Sequence, residues 1–370
     1  RPAVMGQGNK YYFPQLDSVR GLSFLAVYFF HAVHPAFGAG LWSRLLQFLY
    51  NNMVLSIDVF FILSSFLLTW LGMREYKTKG NFSFINYFIR RALRIWPLYF
   101  LLMIFAFVLL PYVAAEYQVQ VTLPPAYYYI LFISNFYLEG HVYFLRFLWT
   151  LAVEEQFYLL WGVCLWFLQK YMKACILLLG LGSILYTAYA IANNIPHDFH
   201  TLTYLFDFAA GILAAYLLQE NHALAAWVSR WGKKGSVLFL LFLPLLFVIM
   251  FFIQDNVRAV LVPWIDWIVR LLFILYTSLF IMEQMANEKV LLQLAGSSFL
   301  VYTGKISYGL YCFHGIVLTF GMVALEKAGL SVPVVMRVFL FLAINYLVAG
   351  LSYRVIESPF LKLKDKLRRI

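Results

Sequence analysis

Apolar residues run along this chain in windows of about twenty, separated by short clusters of charge, glycine and proline. Twenty residues rising 1.5 Å each span the ~30 Å hydrocarbon core of a bilayer as one helix. Windows of that length fall at 16–36, 52–71, 94–113, 145–168, 174–192, 201–218, 236–253, 261–282, 306–325 and 334–354. The pattern predicts an all-α, polytopic transmembrane helix bundle of about ten spans. A further run, PPAYYYILFISNFYL at 124–138, is short and aromatic and reads as interfacial or re-entrant. No Ser-rich or Pro-rich linker divides the windows. Residues 1–370 therefore read as one transmembrane domain, with 1–15 an N-terminal segment and 359–370 a basic tail.

Charge orients the spans. With an even number of them, both ends share a side. Loops on that side hold twelve Lys and Arg between Arg74 and Lys305, and the tail adds five more from Lys362 to Arg369. The opposite loops hold Arg44, Arg146, Arg258 and Lys327. An excess of Lys and Arg marks the cytoplasmic face, so both termini are expected there. No cleavable leader is expected, because the first apolar run carries its own charges.

Composition agrees with the pattern. Hydrophobic residues make up 63% of the chain, aromatics 20% and charged residues 12%, with a mean hydropathy of +0.79. Soluble domains average about 25% charged residues. The net charge of +11 follows from basic span ends at the bilayer surface, which leaves nothing for a nucleic-acid partner to explain. Cys164, Cys175 and Cys312 lie in apolar windows without paired spacing, so neither a disulfide framework nor a metal site is expected.

Ionisable side chains inside spans are costly and are functional candidates by default. Here they are Asp17, Arg20, His31, His34, Asp58, Glu154, Glu155, Asp207, Arg270, His314 and Arg337. Asp17 and Arg20, three apart, can pair on one helix face. His31 lies eleven residues beyond Arg20, roughly 16 Å deeper, with His34 one turn further. An imidazole there is either a hydrogen-bonded core group or a proton-transfer group. In SIDVFFILSSFLL, Asp58 and Ser64 serve either helix packing or direct chemistry. Arg90, Arg91 and Arg94 sit at a cytoplasmic boundary. Arg91 and Arg94 form a fork suited to phosphate oxygens, whether of the lipid bilayer or of a ligand. Glu154 and Glu155 are adjacent, so they leave their helix about 100° apart and cannot both aim at one partner. One of them beside an imidazole would activate a hydroxyl. GxSxG, HExxH, Walker A and GxGxxG signatures are absent from the sequence.

Taken together, these stretches resemble the integral-membrane acyltransferase family 3. LDSVRGLSFLAVYFFH resembles its opening motif, a basic residue followed by histidine: Arg20 and His31. DVFFILSSFLLT is similar to the second-span motif, with Ser64-Ser65 where the family commonly has Ser-Gly. RRALRIWPLYF resembles the Arg-x-x-Arg-x-x-Pro element through Arg91, Arg94 and Pro97. WTLAVEEQFYL matches through Trp149, Glu154, Phe157 and Tyr158, with Thr150 for Ser. ISYGLYCFHGIV and SYRVIESPF resemble the late motifs through Ser307, Tyr308, Tyr311, His314, Glu357 and Pro359. Six such motifs follow one another in the family's order over nearly the whole chain.

The resemblance implies a multi-pass protein of the bacterial cytoplasmic membrane. It implies transfer of an acyl group, typically acetyl, from cytoplasmic acyl-CoA to a hydroxyl, or less commonly an amine, of a carbohydrate or other acceptor. Acetyl-CoA or another acyl-CoA is then the donor substrate, and no metal is implied. Arg90, Arg91, Arg94 and Arg20 would hold the CoA phosphates, and His31 with Glu154 would be the catalytic pair. His34, Asp58, Ser64, Glu155, Tyr308 and His314 would shape the acceptor pocket. Some relatives carry a fused extracytoplasmic esterase-like domain, so this chain is expected to work alone or with a separate extracytoplasmic partner protein. The competing reading is a proton-coupled secondary transporter using the same intramembrane acids and histidines, although the two halves show no internal repeat.

Overall fold

The computed structural model describes residues 4–6, 10–33, 38, 40–116, 121–137, 139 and 142–367. Among the described residues the regular structure is helical apart from one three-residue antiparallel pair, β1 (Val4–Gly6) with β2 (Lys10–Tyr12), in which Val4 faces Tyr12. The first helices are α1 (Pro14–Ala32), α2 (Leu41–Asn51), α3 (Ser56–Lys79), α4 (Phe84–Ile104) and α5 (Leu110–Glu116). Then come α6 (Ala126–Ile130), α7 (Tyr143–Arg146), α8 (Trp149–Phe167), α9 (Met172–Ala192) and α10 (Leu205–Glu220). Next are α11 (His222–Ser229), α12 (Gly232–Asn256), α13 (Val262–Ala286) and α14 (Ser298–Lys305). The chain closes with α15 (Ser307–Lys327), α16 (Val334–Ser352) and α17 (Ser358–Leu367).

Among the described residues, eight helical stretches are long and apolar enough to cross a membrane: Leu41–Lys79, Phe84–Glu116, Gln169–Ala192, Thr201–Glu220, Gly232–Gln254, Ala259–Ala286, Ser307–Lys327 and Val334–Leu363. They coincide with eight of the ten expected windows. The other two windows are α1 and α8, each 19 residues long. At 1.5 Å per residue such a helix reaches about 28 Å. Their polarity is what sets them apart, since α1 carries Asp17, Arg20 and His31 and α8 carries Glu154 and Glu155. The aromatic run after Pro124 is broken into α6 and a 3₁₀ turn at Ser134–Phe136, so it forms no continuous helix.

The chain divides into two interleaved compact units: Arg1–Glu75 with Lys173–His197 and Leu202–Lys305, and Tyr76–Met172 with Asp198–Thr201 and Ile306–Ile370. The first unit is built around α1. Pro14 opens the helix, where its missing N–H costs nothing, and Asp17 in the first turn suits the helix dipole. Along α14 the two backbones touch. A Cβ on Gly21 would stand 2.6 Å from the Leu300 carbonyl, and one on Gly304 would run into the Asp17 carbonyl. Small residues at a crossing are how helices approach closely in lipid, where no water drives them together. The apolar centre of this unit gathers Leu16, Val19, Ile62, Leu63, Phe66, Trp70, Ala214, Ile281 and Met282.

In the second unit α4 packs on α8, and α15 packs on α16. A Cβ on Gly162 of α8 would come within 2.7 Å of the Tyr87 ring on α4. Ser83 caps α4 by accepting from the Asn86 N–H at 3.4 Å. Two turns of π-helix interrupt the long helices, at Phe105–Leu109 and Tyr353–Glu357.

Candidate functional site

The candidate residues fall into two groups, one per unit. In the first unit Arg20 donates to Asp17 at 3.2 Å, and Arg20 is buried. His31 is half-buried in the last turn of α1, its ring 5.1 Å from that of Phe30. The end of that helix is held from α2. The Tyr50 hydroxyl lies 2.7 Å from the Phe30 carbonyl and 2.6 Å from that of Val33, satisfying groups that a helix end leaves open. His34 lies outside the described residues.

Asp58, expected in an acceptor pocket, is one member of a buried ionic cluster joining α3, α10 and α13. Arg270 grips it in a fork, Nε to Oδ2 at 3.1 Å and Nη2 to Oδ1 at 3.2 Å. Nη2 also donates to Asp207 at 2.6 Å, and Nη1 to the Thr203 carbonyl at 3.3 Å. The guanidinium lies over the Tyr204 ring, 4.5 Å from its centre. Planar, bidentate pairing plus ring stacking is what arginine does and lysine cannot. Ser64 is half-buried one residue before Ser65. At that point α10 presents Gly211, whose absent Cβ would collide with Ser65 Oγ and the Ile62 carbonyl. The glycine of this close approach therefore stands on the facing helix rather than at position 65.

In the second unit α8 gives three consecutive polar residues three different partners. Glu154, half-buried, accepts from the Tyr158 hydroxyl at 2.8 Å, one turn along its own helix. The Arg91 guanidinium lies 5.7 Å from the centre of that same Tyr158 ring, and Tyr87 donates to the Tyr158 carbonyl at 3.0 Å. Tyr158 thus links an acid on α8 to an arginine on α4. Arg90 and Arg94 are half-buried on the same helix. Glu155 is buried and accepts from the Trp96 indole N–H at 3.4 Å. Gln156 donates to the Phe132 carbonyl and to Asn135 Oδ1, each at 2.8 Å, and accepts from the Thr201 hydroxyl at 2.5 Å.

Phe132 has a left-handed backbone, φ +54, a conformation costly for a bulky side chain. Gln156 holds its carbonyl, and its ring stacks on Tyr99 at 4.6 Å and on Trp96 at 6.1 Å. The strained turn of the aromatic segment thereby covers the indole that binds Glu155.

On α15 the hydroxyl of half-buried Tyr308 donates to the Ile95 carbonyl at 2.7 Å, beside Pro97 of α4. Tyr311 donates to the Phe147 carbonyl and accepts from Thr150, both at 2.7 Å. His314 is buried, its ring 4.6 Å from that of Phe147. Its Nδ1 bonds the Tyr311 carbonyl. A carbonyl only accepts, so Nδ1 carries the proton. Among the described residues no group of His, Cys, Asp and Glu is arranged to hold a metal ion.

Asp207 and Arg270 stood among the intramembrane candidates without a role of their own, and Trp96 and Gln156 were not among the candidates. Asp207 and Arg270 carried a signal, since each is a charge inside an apolar window. Trp96 and Gln156 carried none, because indoles and amides are ordinary in such helices.

The whole arrangement belongs to a recognised class. The family model described as an acyltransferase domain matches residues 13–354, and the chain belongs to that family of multi-pass membrane proteins. It is 25% identical to the peptidoglycan O-acetyltransferase OatA of Listeria monocytogenes over 96% of this chain and 56% of that protein. It is 27% identical to a putative O-acetyltransferase of Staphylococcus aureus, over 95% of this chain and 58% of the relative. A putative peptidoglycan O-acetyltransferase of Bacillus subtilis, YrhL, is 25% identical over 94% and 55%. The chain thus spans little more than half the length of these curated relatives. No solved structure matches it. The family leaves the transporter alternative without support.

Proposed function

We propose that the chain moves an acyl group, acetyl first, from acyl-CoA at the cytoplasmic face to a hydroxyl of a cell-envelope carbohydrate. The relatives' names point to a peptidoglycan sugar as acceptor. The carrying observation is the packing of the arginine-bearing α4 on the acid-bearing α8, joined through Tyr158, in a chain of the acyltransferase family. The spans number ten, α1 and α8 included, with both termini cytoplasmic. Arg90, Arg91 and Arg94, with Arg20, bind the CoA phosphates through charge-assisted hydrogen bonds. His31 takes the proton of the acceptor hydroxyl as its oxygen attacks the thioester carbonyl. The acyl–sulfur bond breaks, the acyl–oxygen bond forms, and the proton returns to the CoA thiolate. Glu154 supplies negative charge that favours the transient imidazolium. Asp58, Ser64, Tyr308 and His314 contribute to the acceptor side. Mass spectrometry of envelope glycans from cells with and without the protein tests this. Base-labile acetyl esters that depend on the protein are expected; identical glycans would refute the assignment.

A further inference from the structure

Glu155 is an acid in the wrong surroundings for a structural role. It is 6% exposed, and one oxygen accepts a single 3.4 Å bond from an indole. Its other oxygen, Oε1, is buried and has no hydrogen-bond partner among the described residues. Buried polar groups are nearly always satisfied, and leaving a carboxylate oxygen bare is expensive.

The neighbourhood holds hydroxyls that could have served it. Tyr87, Tyr99 and Tyr308 all lie within electrostatic reach of Glu155. Each is committed elsewhere: Tyr87 to the Tyr158 carbonyl, Tyr99 to the Tyr129 carbonyl at 2.8 Å, Tyr308 to the Ile95 carbonyl. Arg91, the cation in that range, lies over the Tyr158 ring. The three tyrosine hydroxyls thus spend their protons on backbone carbonyls rather than on the acid. Beyond the Trp96 indole lies the left-handed Phe132, which stacks on that indole and whose carbonyl is held by Gln156, the next residue along α8. A fold that holds strain beside an unsatisfied acid is keeping that geometry for something absent from the chain itself.

We propose that Glu155 Oε1 is a substrate subsite, taking a hydrogen bond from an N–H or O–H of the acyl-transfer substrates. The proposal rests on the acyltransferase reading above. Two groups have the required chemistry: the amide and hydroxyl donors of the pantetheine arm of the acyl donor, and the acceptor hydroxyl. Trp96 fixes the carboxylate from the helix that also bears Arg91, five residues earlier and so about 7.5 Å along the axis.

The test uses the full chain in detergent, as wild type, Glu155→Gln and Glu155→Leu. Thermal midpoints are measured with calorimetric affinities for acetyl-CoA and for 3′,5′-ADP, which lacks the pantetheine arm. Both variants should unfold no earlier than wild type, because the bare carboxylate is removed. Function should fall together with that retained stability. If the arm is the partner, acetyl-CoA binds both variants about ten- to a hundredfold more weakly while 3′,5′-ADP is unaffected, the scale of a hydrogen bond to a charged group. If the acceptor is the partner, both affinities stay and the KM for a glycan acceptor rises by a similar factor. A lowered midpoint in both variants, or unchanged affinities together with unchanged KM, overturns the subsite. Should wild type bind no acetyl-CoA, the donor assignment falls, whereas weaker calorimetric binding of a glycan acceptor by both variants, at retained midpoints, would still mark Glu155 as a binding group.

Discussion

Arg91 lies over the Tyr158 ring, and the proposed function gives its charge to the phosphates of the donor. Arg91→Ala and Arg94→Ala should each weaken acetyl-CoA binding about ten- to a hundredfold, since hydrogen bonds to charged groups contribute about 1.5–3 kcal/mol. Calorimetry reads this directly, and unchanged affinity in both would return these arginines to a lipid-anchoring role. In the ionic cluster of the first unit the two acids are not equivalent. Asp58 takes a two-toothed grip from Arg270, whereas Asp207 takes one bond and leaves Oδ1 without a partner among the described residues. Asp207→Asn keeps the single acceptor oxygen that Arg270 uses. Asp58→Asn removes one acceptor of the fork and leaves Arg270 with the charge of Asp207, a loss of about 1.5–3 kcal/mol. Denaturation of the two variants side by side should place Asp58→Asn well below Asp207→Asn; equal midpoints would show the fork to be immaterial.

At this scale the sequence was partly readable. The 100° divergence of Glu154 and Glu155 follows from helix geometry alone, and they do turn to Tyr158 and Trp96 respectively. Which partner each finds did not follow, because Trp96 lies 59 residues from Glu155. The Asp17–Arg20 pair was legible, since both residues share one helix turn. Arg270 with Asp58, 212 residues apart, was not.

Among the elements, the apolar windows gave the helices, because length and hydropathy alone decide whether a segment can cross lipid. The breaks were harder. The π turns and the left-handed Phe132 are backbone responses to packing that no local motif encodes. The crossing of α1 and α14 illustrates the same limit, since Gly21 and Gly304 look like any other helix glycines until their neighbours are known. Gly304→Ala places a methyl against the Asp17 backbone, which cannot swing aside as a side chain would. Overpacking of this kind costs about 1–3 kcal/mol or more. Gly296→Ala meets nothing within 4 Å and serves as the control. A drop in thermal midpoint is expected for the first and not the second; equal midpoints would mean the helices can separate freely.

For the whole molecule, the charge asymmetry of the loops carries the orientation. Cysteines introduced near each terminus should react with a membrane-impermeant maleimide only after the cytoplasmic face is opened; labelling of either in intact cells would break the ten-span arrangement. The central claim is acyl transfer from acyl-CoA through His31, and reconstitution addresses it most directly. Purified wild type and His31→Ala are incubated with acetyl-CoA and peptidoglycan fragments, and free CoA thiol and acetyl ester on the glycan are counted together. The account predicts that both appear in equal amounts with wild type, and that His31→Ala, folded as judged by its melting curve, is slower by about 10²–10⁴-fold, the range of general acid–base catalysis. Equal turnover by the two proteins, or thiol released with no ester formed, would contradict it.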